Sequence, residues 1–156
     1  MKVLFIGGTG NISSACSELA IRRGIDLYHL NRGKSAGVHS VVGAKTIIAD
    51  IRNVEEARKA IEGHRFDVVV DFIAFEPEHI QADIDLFNGK TDQFVFISSA
   101  SVYQTPPESL PVTEETPADN PVWEYSQKKI ACEQLLRENY TKNGFPKSSV
   151  DSLSSP

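Results

Sequence analysis

Short apolar runs alternate with segments of helical spacing along the chain, and this alternation limits the possible folds more than any other feature. The apolar runs are nearly continuous, as in strands that are buried on both faces of a sheet. Five strands are predicted at residues 2–6, 25–30, 45–49, 66–73 and 93–99, and four helices at 11–23, 53–63, 77–87 and 123–143. Strands that alternate with helices pair in parallel, so the pattern predicts an α/β fold with helices on both faces of one parallel sheet.

Charge and composition argue against several classes of function. The 156 residues carry a net charge of −5 and show no basic stripe, which argues against nucleic-acid binding. The apolar start is too short for a signal peptide, and no stretch has the length of a membrane span. Cys16 and Cys132 lie far apart in helical patterns and are predicted to be buried, reduced thiols. Together these features predict a cytoplasmic protein without a membrane partner. The four histidines lack the spacing of metal ligands, so no metal site is expected.

A glycine-rich loop, FIGGTGNIS, follows the first strand directly and opens the first helix. Gly7 permits a tight turn, and Gly10 lets the backbone approach a pyrophosphate, which the free N–H groups of the helix N-terminus would bind. A plain glycine turn is the alternative. The position after the first strand of a βαβ unit favours a dinucleotide site. Ser13 stands where a third glycine is expected, and a residue this small still allows close packing of helix on strand.

The end of the second strand indicates which dinucleotide is bound. An acidic residue there favours NAD, whereas an arginine nearby accommodates the 2′-phosphate of NADP. The sequence has Asn31, Arg32 and Lys34 and no acid at this point. The cofactor is therefore predicted to be NAD(P), with NADP favoured over NAD. A solvated basic loop is the alternative interpretation.

The stretch YSQKK places Tyr125 one helical turn before Lys129. Residues four apart share a helix face, which occurs on many ordinary exposed helices. Here a phosphate loop and Ser99 accompany the pair, so we interpret it as catalytic. Tyrosine has a pKa of about 10, and a nearby ammonium group and a positive nicotinamide ring would lower it toward that of a useful base. Ser99 could bind the reacting substrate oxygen, whereas Ser98 would point to the opposite side of the strand.

The motifs GGTGNIS, ADIRN, VFISSASVY and YSQKK together resemble the extended short-chain dehydrogenase/reductases, in the NAD-dependent epimerase/dehydratase group. The resemblance covers residues 1 to about 146 and implies a Rossmann-like, doubly wound sheet with strand order 3-2-1-4-5. It also implies a nucleotide-sugar substrate. The catalytic residues it implies are Ser99, Tyr125 and Lys129. The cofactor-binding residues predicted from the loop and the resemblance are Gly7, Gly8, Thr9, Gly10, Asn11, Ile12, Asn31, Arg32, Asp50, Ile51, Phe72, Ile73, Ala74 and Lys129.

Family members continue beyond the last predicted helix into a lobe that binds the substrate. We therefore expect residues 1–146 to form a partial dinucleotide-binding domain and residues 147–156 to be a disordered or non-native tail, after a truncation or a frameshift. Such a chain would have little epimerase or dehydratase turnover. The alternatives are a non-enzymatic nucleotide- or RNA-binding module, similar to chloroplast stem-loop RNA-binding proteins, and an inactive remnant. An exposed parallel edge strand would also offer a route to a homo-oligomer.

Overall fold

The computed structural model describes residues 1–33 and 41–151. The predicted contribution of Lys34 lies outside these residues. The strands are β1 (Lys2–Ile6), β2 (Asp26–Asn31), β3 (Lys45–Ile48), β4 (Phe66–Asp71), β5 (Thr91–Ile97) and β6 (Lys147–Asp151). The helices are α1 (Asn11–Arg22), α2 (Val54–Ala60), α3 (Pro77–Phe87) and α4 (Glu124–Asn143), with a short 3₁₀ turn at Ala100–Val102.

The strands form one parallel sheet in the order β3-β2-β1-β4-β5-β6. The predicted order of the first five strands is therefore confirmed. Ile6 at the end of β1 pairs with Leu30 of β2 on one side and Asp71 of β4 on the other. Because the strands are parallel and in register, the loops that follow them gather at one edge of the sheet, where doubly wound folds bind their ligands.

Of the two alternatives predicted for residues 147–156, a disordered or a non-native tail, the sixth strand contradicts the disordered one for residues 147–151. Lys147–Asp151 pairs with β5 along its whole length, whereas residues 152–156 lie outside the described part of the chain. Gly144 ends α4 with φ +65°, and the next residue, Phe145, is buried and packs on Phe94 with ring centroids 5.6 Å apart. This anchor returns the chain to the open edge of β5, where backbone pairing needs no apolar alternation.

The core lies on both faces of the sheet. On one face α2, α3 and α4 cover the larger cluster, which includes Phe66, Phe87 and Phe96. On the other face α1 covers a smaller cluster around Phe5. The clusters are separate because alternate residues of each strand point to opposite faces.

The two cysteines differ in their exposure. Cys132 is buried in the larger cluster as predicted, but Cys16 is exposed on α1, so that part of the prediction is wrong. An exposed position is tolerated because the outer face of α1 has no element packed on it among the described residues. None of the helices in the described ranges is both long enough and apolar enough to cross a membrane.

Candidate active site

A cleft of about 710 Å³ opens where β1, β2 and β3 end. This volume lies within the range of small-molecule and cofactor sites. Eight of the predicted cofactor-binding residues line it: Gly7, Thr9, Gly10, Asn31, Arg32, Asp50, Ile51 and Ile73. The other six, Gly8, Asn11, Ile12, Phe72, Ala74 and Lys129, are not among the lining residues. The structure thus gathers most of the predicted set at one edge, while their role in binding remains a prediction.

The glycine loop is held in shape by a hydroxyl group. Ser13 Oγ donates to the Gly7 carbonyl at 2.7 Å and accepts from the Gly10 amide at 2.8 Å. Ser13 therefore not only fits where a third glycine is expected but also stabilises the turn through its two hydrogen bonds to the backbone of the loop. The first turn of α1 contains no acidic side chain. The positive end of the helix is thus open to an anion.

Two of the glycines are required by what they pack against. A Cβ atom on Gly7 would lie 2.4 Å from Cγ2 of Ile73, and Gly7 has φ +77°. A Cβ atom on Gly8 would lie 2.4 Å from Cδ2 of His29. The ring of His29 is buried, and its Nε2 lies 2.8 Å from Ser17 Oγ. Burial lowers the pKa of His29, which keeps the imidazole neutral beneath the loop.

An arginine that was not predicted bridges two walls of the cleft. Arg52 follows Asp50 and Ile51 directly, and its Nη2 donates to the Ile73 carbonyl at 2.7 Å. Asp50 Oδ1 accepts from the Arg52 amide at 3.0 Å, which fixes this turn at the end of β3. The only signal in the sequence is the position of Arg52 within ADIRN. Its exposed guanidinium adds a positive charge to the cleft beside Arg32.

Lys129 is the most constrained of the three predicted catalytic residues. It is 3% exposed, and its Nζ donates to the carbonyl of Ala74 at 2.7 Å and to that of Ile97 at 2.8 Å. These carbonyls follow β4 and end β5, so the ammonium group joins the two strand ends. Burial lowers the pKa of Lys129, and the negative charges of neighbouring acidic groups, including Asp71, partly oppose this.

Tyr125 differs from the expectation in its acidity. Its ring centroid lies 5.7 Å from Lys129 Nζ, so the two residues share a helix face as predicted. Burial, however, raises the pKa of the Tyr125 phenol, and Cys132 adds to the rise. The expected lowering is therefore not found in the protein without ligands. Two of the three ammonium protons of Lys129 are directed at backbone carbonyls, which leaves desolvation as the dominant effect on the phenol.

Ser99 lies on the open side of the sheet edge, in a chain of three hydroxyl groups. Its Oγ is 2.8 Å from Ser101 Oγ, which also accepts from Ser126 Oγ at 2.9 Å. Ser126 is the neighbour of Tyr125 on α4. Ser98 instead turns inward, and its Oγ donates to Oε1 of buried Glu133 at 2.6 Å. Ser101 and Ser126 were not predicted, because serines next to a motif carry no separate signal.

The cofactor cleft and Lys129 are linked through residues 73 and 74. Ile73 lines the cleft, and the carbonyl of the next residue, Ala74, holds Lys129. Tyr125 lies near Lys129, and the hydroxyl chain of Ser101 and Ser126 connects Ser99 to the same helix α4. Such a set can orient a bound dinucleotide and move a proton to or from a substrate hydroxyl.

Comparison with known proteins establishes the family. The model of the NAD dependent epimerase/dehydratase family matches residues 3–89 and 84–148. The chain belongs to this family. UDP-glucose 4-epimerase of Azospirillum brasilense is 28% identical over 163 residues, which is 92% of this chain and 46% of that enzyme. The chain thus spans about half the length of the curated relatives it matches.

The chain is also similar to a chloroplast protein and to a solved epimerase structure. The chloroplast stem-loop binding protein of 41 kDa b of Arabidopsis thaliana is 25% identical over 130 residues, covering 76% of this chain and 34% of that protein. The crystal structure of UDP-glucose 4-epimerase from Bifidobacterium longum in complex with NAD+ and UDP has a TM-score of 0.79 and 21% identity. The match covers 96% of this chain and 52% of the Bifidobacterium longum chain. This structural likeness confirms the Rossmann-like fold.

Proposed function

We propose that residues 1–151 form the dinucleotide-binding half of a nucleotide-sugar epimerase or dehydratase. One observation carries the proposal: Lys129 is fixed by the Ala74 carbonyl, one residue from the wall of a cleft that begins at a glycine loop. A lysine on a solvated helix face would be exposed, whereas Lys129 is 3% exposed. The relatives named above, which include UDP-glucose 4-epimerase, support a nucleotide-sugar substrate.

The cleft fits a dinucleotide by its chemistry as well as by its size. The loop amides and the acid-free first turn of α1 suit the pyrophosphate, and Asp50 and Ile51 suit the adenine. Side chains at Gly7 or Gly8 would collide with their neighbours and displace the loop. The residues present therefore fit NAD(P).

The preference for NADP is the finer part of this proposal. Arg32 and Arg52 supply positive charge to the cleft, and Asn31 stands where an acid would bind the ribose hydroxyls of NAD. The crystal structure of the Bifidobacterium longum enzyme contains NAD+, so the preference rests on the residues of this chain. Arg32→Ala should weaken NADPH binding about tenfold, as expected for the loss of one charge-assisted contact, and NADH binding much less. Equal losses for both cofactors would refute a contact with the 2′-phosphate.

The three catalytic residues would act in distinct ways. Tyr125 would exchange a proton with a substrate hydroxyl, Ser99 would hydrogen-bond the same oxygen, and Lys129 would orient the ribose and keep a positive charge nearby. A bound NAD(P) would supply the hydride chemistry, and the positive charge of its oxidised ring would oppose the effect of burial on the Tyr125 pKa. Without ligands the phenol has a raised pKa, so we propose that Tyr125 becomes an effective base only in the complex.

The cofactor assignment can be tested with a single added charge. Asn11→Asp places a carboxylate in the exposed first turn of α1, where it favours the helix but repels a phosphate. Fluorescence titration with NADPH and NADH should show weaker binding, with an unchanged or slightly higher melting temperature. Asn88→Asp is the matched control, because it adds the same charge beyond the end of α3, at the opposite edge of the sheet. Unaltered affinity in Asn11→Asp, or no binding of either cofactor by the folded wild type, would refute the site.

Catalysis is tested separately, because residues 1–156 cover only half the length of the relatives. We propose that these residues alone turn over nucleotide sugars little, since a reactive pose needs groups that hold the sugar. Assays with a panel of nucleotide sugars should compare the wild type with Tyr125→Phe. Robust turnover that the substitution abolishes would show that residues 1–156 build a complete pocket.

A binding role without turnover is the second candidate, and the likeness to the chloroplast stem-loop binding protein favours it. The net charge of −5 argues against RNA, whose phosphates require a basic surface. A gel shift with a stem-loop RNA at graded salt concentrations distinguishes the two: micromolar, salt-sensitive binding would support the RNA role. Self-association, which size-exclusion chromatography would detect, remains a prediction.

A further inference from the structure

Two fully buried carboxyl groups lie within hydrogen-bonding reach of each other, and the sequence analysis did not predict this pair. Asp71 ends β4 and Asp83 lies on the inner face of α3, and both are 0% exposed. Asp71 Oδ1 accepts from the backbone amides of Ile73 at 2.5 Å and Ala74 at 2.9 Å. The remaining three oxygens, Asp71 Oδ2 and both of Asp83, have no donor among the described residues when both groups are written as carboxylates.

Two adjacent, buried carboxylates cannot both be ionised at low cost. Burial is the largest cause that raises the pKa of Asp83 well above its ordinary range, and the charge of Asp71 is the second. A proton on Asp83 supplies the donor that Asp71 Oδ2 lacks. Asp71 is the acceptor of the pair, because its Oδ1 already accepts two backbone N–H groups and its Oδ2 lacks a donor.

The pair acts on the turn that holds Lys129. Asp71 binds the amides of Ile73 and Ala74, and the carbonyl of Ala74 accepts from Lys129 Nζ. We propose that Asp83 is a positioning residue: it shares one proton with Asp71 and thereby holds the turn at residues 73–74 that places Lys129 beside the cleft. This role rests on the proposed function of Lys129.

The other inward-facing residues of α3 are apolar, so a side chain at position 83 that served only for packing would also be expected to be apolar. Ile80, Ile84 and Phe87 from the same helix are buried in the larger core cluster. An apolar side chain at position 83 would avoid the cost of burying a second acid, and such replacements of buried polar groups are often neutral or stabilising. The retained acid therefore points to a task other than packing. Other titratable groups also interact electrostatically with the pair: Arg52 with Asp83, and Lys129, His79 and Cys132 with Asp71.

The shared proton can be observed without cofactor or substrate. Infrared spectra of the wild type at pH 7 should contain the C=O stretch of a protonated carboxylic acid, and Asp83→Asn should lack it. Asp85→Asn is the matched control, because Asp85 is an exposed carboxylate on the same helix. Absence of the band from the wild type, or its persistence in Asp83→Asn, overturns the proposal whether or not the protein binds NAD(P).

The positioning effect is measured on Lys129 itself. In Asp83→Asn the amide can still donate to Asp71, so brief acylation of the folded protein, followed by mass spectrometry, should modify Lys129 as slowly as in the wild type. In Asp83→Leu, similar in size but without a donor, Lys129 should react roughly tenfold faster, as expected when one hydrogen bond to a charged group is lost. Lys128, which is partly exposed and paired with Glu76, is the internal reference and should not change.

The two variants decide between positioning and packing. Slow acylation in Asp83→Asn together with fast acylation in Asp83→Leu supports the proposal. Equal rates in the two variants, whether both slow or both fast, overturn it. If Asp83→Leu does not fold, fast acylation of Lys129 in folded Asp83→Asn would by itself overturn the proposal, and the wild-type infrared band tests the shared proton in either case.

Discussion

Replacing Gly8 by alanine should destabilise the protein through one identifiable neighbour, the ring of His29. The added Cβ would lie 2.4 Å from Cδ2 and 2.7 Å from Cγ and Nε2 of that ring. Carbon atoms in contact are about 3.5 Å apart, so the overlap is about 1 Å. The ring has little room to retreat, because it is buried, stacks on Phe5 with centroids 6.2 Å apart and is hydrogen-bonded to Ser17.

The expected cost of Gly8→Ala is about 1–3 kcal/mol, the usual range for forcing an extra methyl group into a packed site. If the ring turns away, the lost contact with Ser17 Oγ adds about 1 kcal/mol. For a chain of this size, 1–3 kcal/mol corresponds to a fall in melting temperature of roughly 2–12 °C. Urea unfolding of the same variant gives the free energy directly, and an unchanged slope would show that only stability has changed.

A double-mutant cycle isolates the clash from other effects. In a His29→Ala background the space opposite Gly8 is empty, so Gly8→Ala should cost far less than in the wild type. Gly63→Ala is the control, because its Cβ would meet nothing within 4 Å and only its φ of +72° is strained. Its cost of about 1–2 kcal/mol should be the same in both backgrounds. A cost of Gly8→Ala that does not depend on His29 would refute the explanation by close packing.

Two further predictions concern polar groups on either side of the sheet edge. Ser98→Ala should lower the free energy of unfolding by about 1–3 kcal/mol, because it leaves the Glu133 carboxylate buried without its 2.6 Å donor, whereas Ser99→Ala should change it little. Urea unfolding of both variants checks this, and equal losses would contradict it. The folded pKa of His29 is lowered below 6.5, so its contribution to stability is present above that pH and is lost as the pH falls. His29→Gln should therefore lose less stability than the wild type between pH 7 and 5, and equal slopes in urea titrations would contradict this.

The elements of the fold were predictable from local patterns, apart from the last strand. The bounds of β1 and α3 agree with the prediction, because an apolar run and a proline-led helical stretch mark them clearly. The sequence of β6 shows no apolar alternation. Its position is set instead by Phe145, which is buried in the core, and by backbone pairing with the edge of β5. A strand specified by backbone pairing and by one residue outside it leaves no period in the sequence.

The glycine loop of the candidate site was more predictable than the long-range contacts that support the site. Gly7 and Gly10 act through the local turn, which the sequence shows, whereas Arg52 reaches the Ile73 carbonyl only after the ends of β3 and β4 are brought together. Asp83 and Asp85 are similar acids two positions apart on one helix. Only the tertiary fold makes one of them fully buried and the other exposed. Long-range partners of this kind are therefore invisible to spacing rules.

The pair Tyr125 and Lys129 shows where such a rule stops. Four-residue spacing predicts that the two side chains share a helix face, and they do. It does not predict that two ammonium protons of Lys129 are directed at the carbonyls of Ala74 and Ile97. The phenol is left with the effect of burial, which raises its pKa. A phenol with a raised pKa is a poor base at neutral pH. The proposed role of Tyr125 would therefore require the positive charge of a bound, oxidised cofactor.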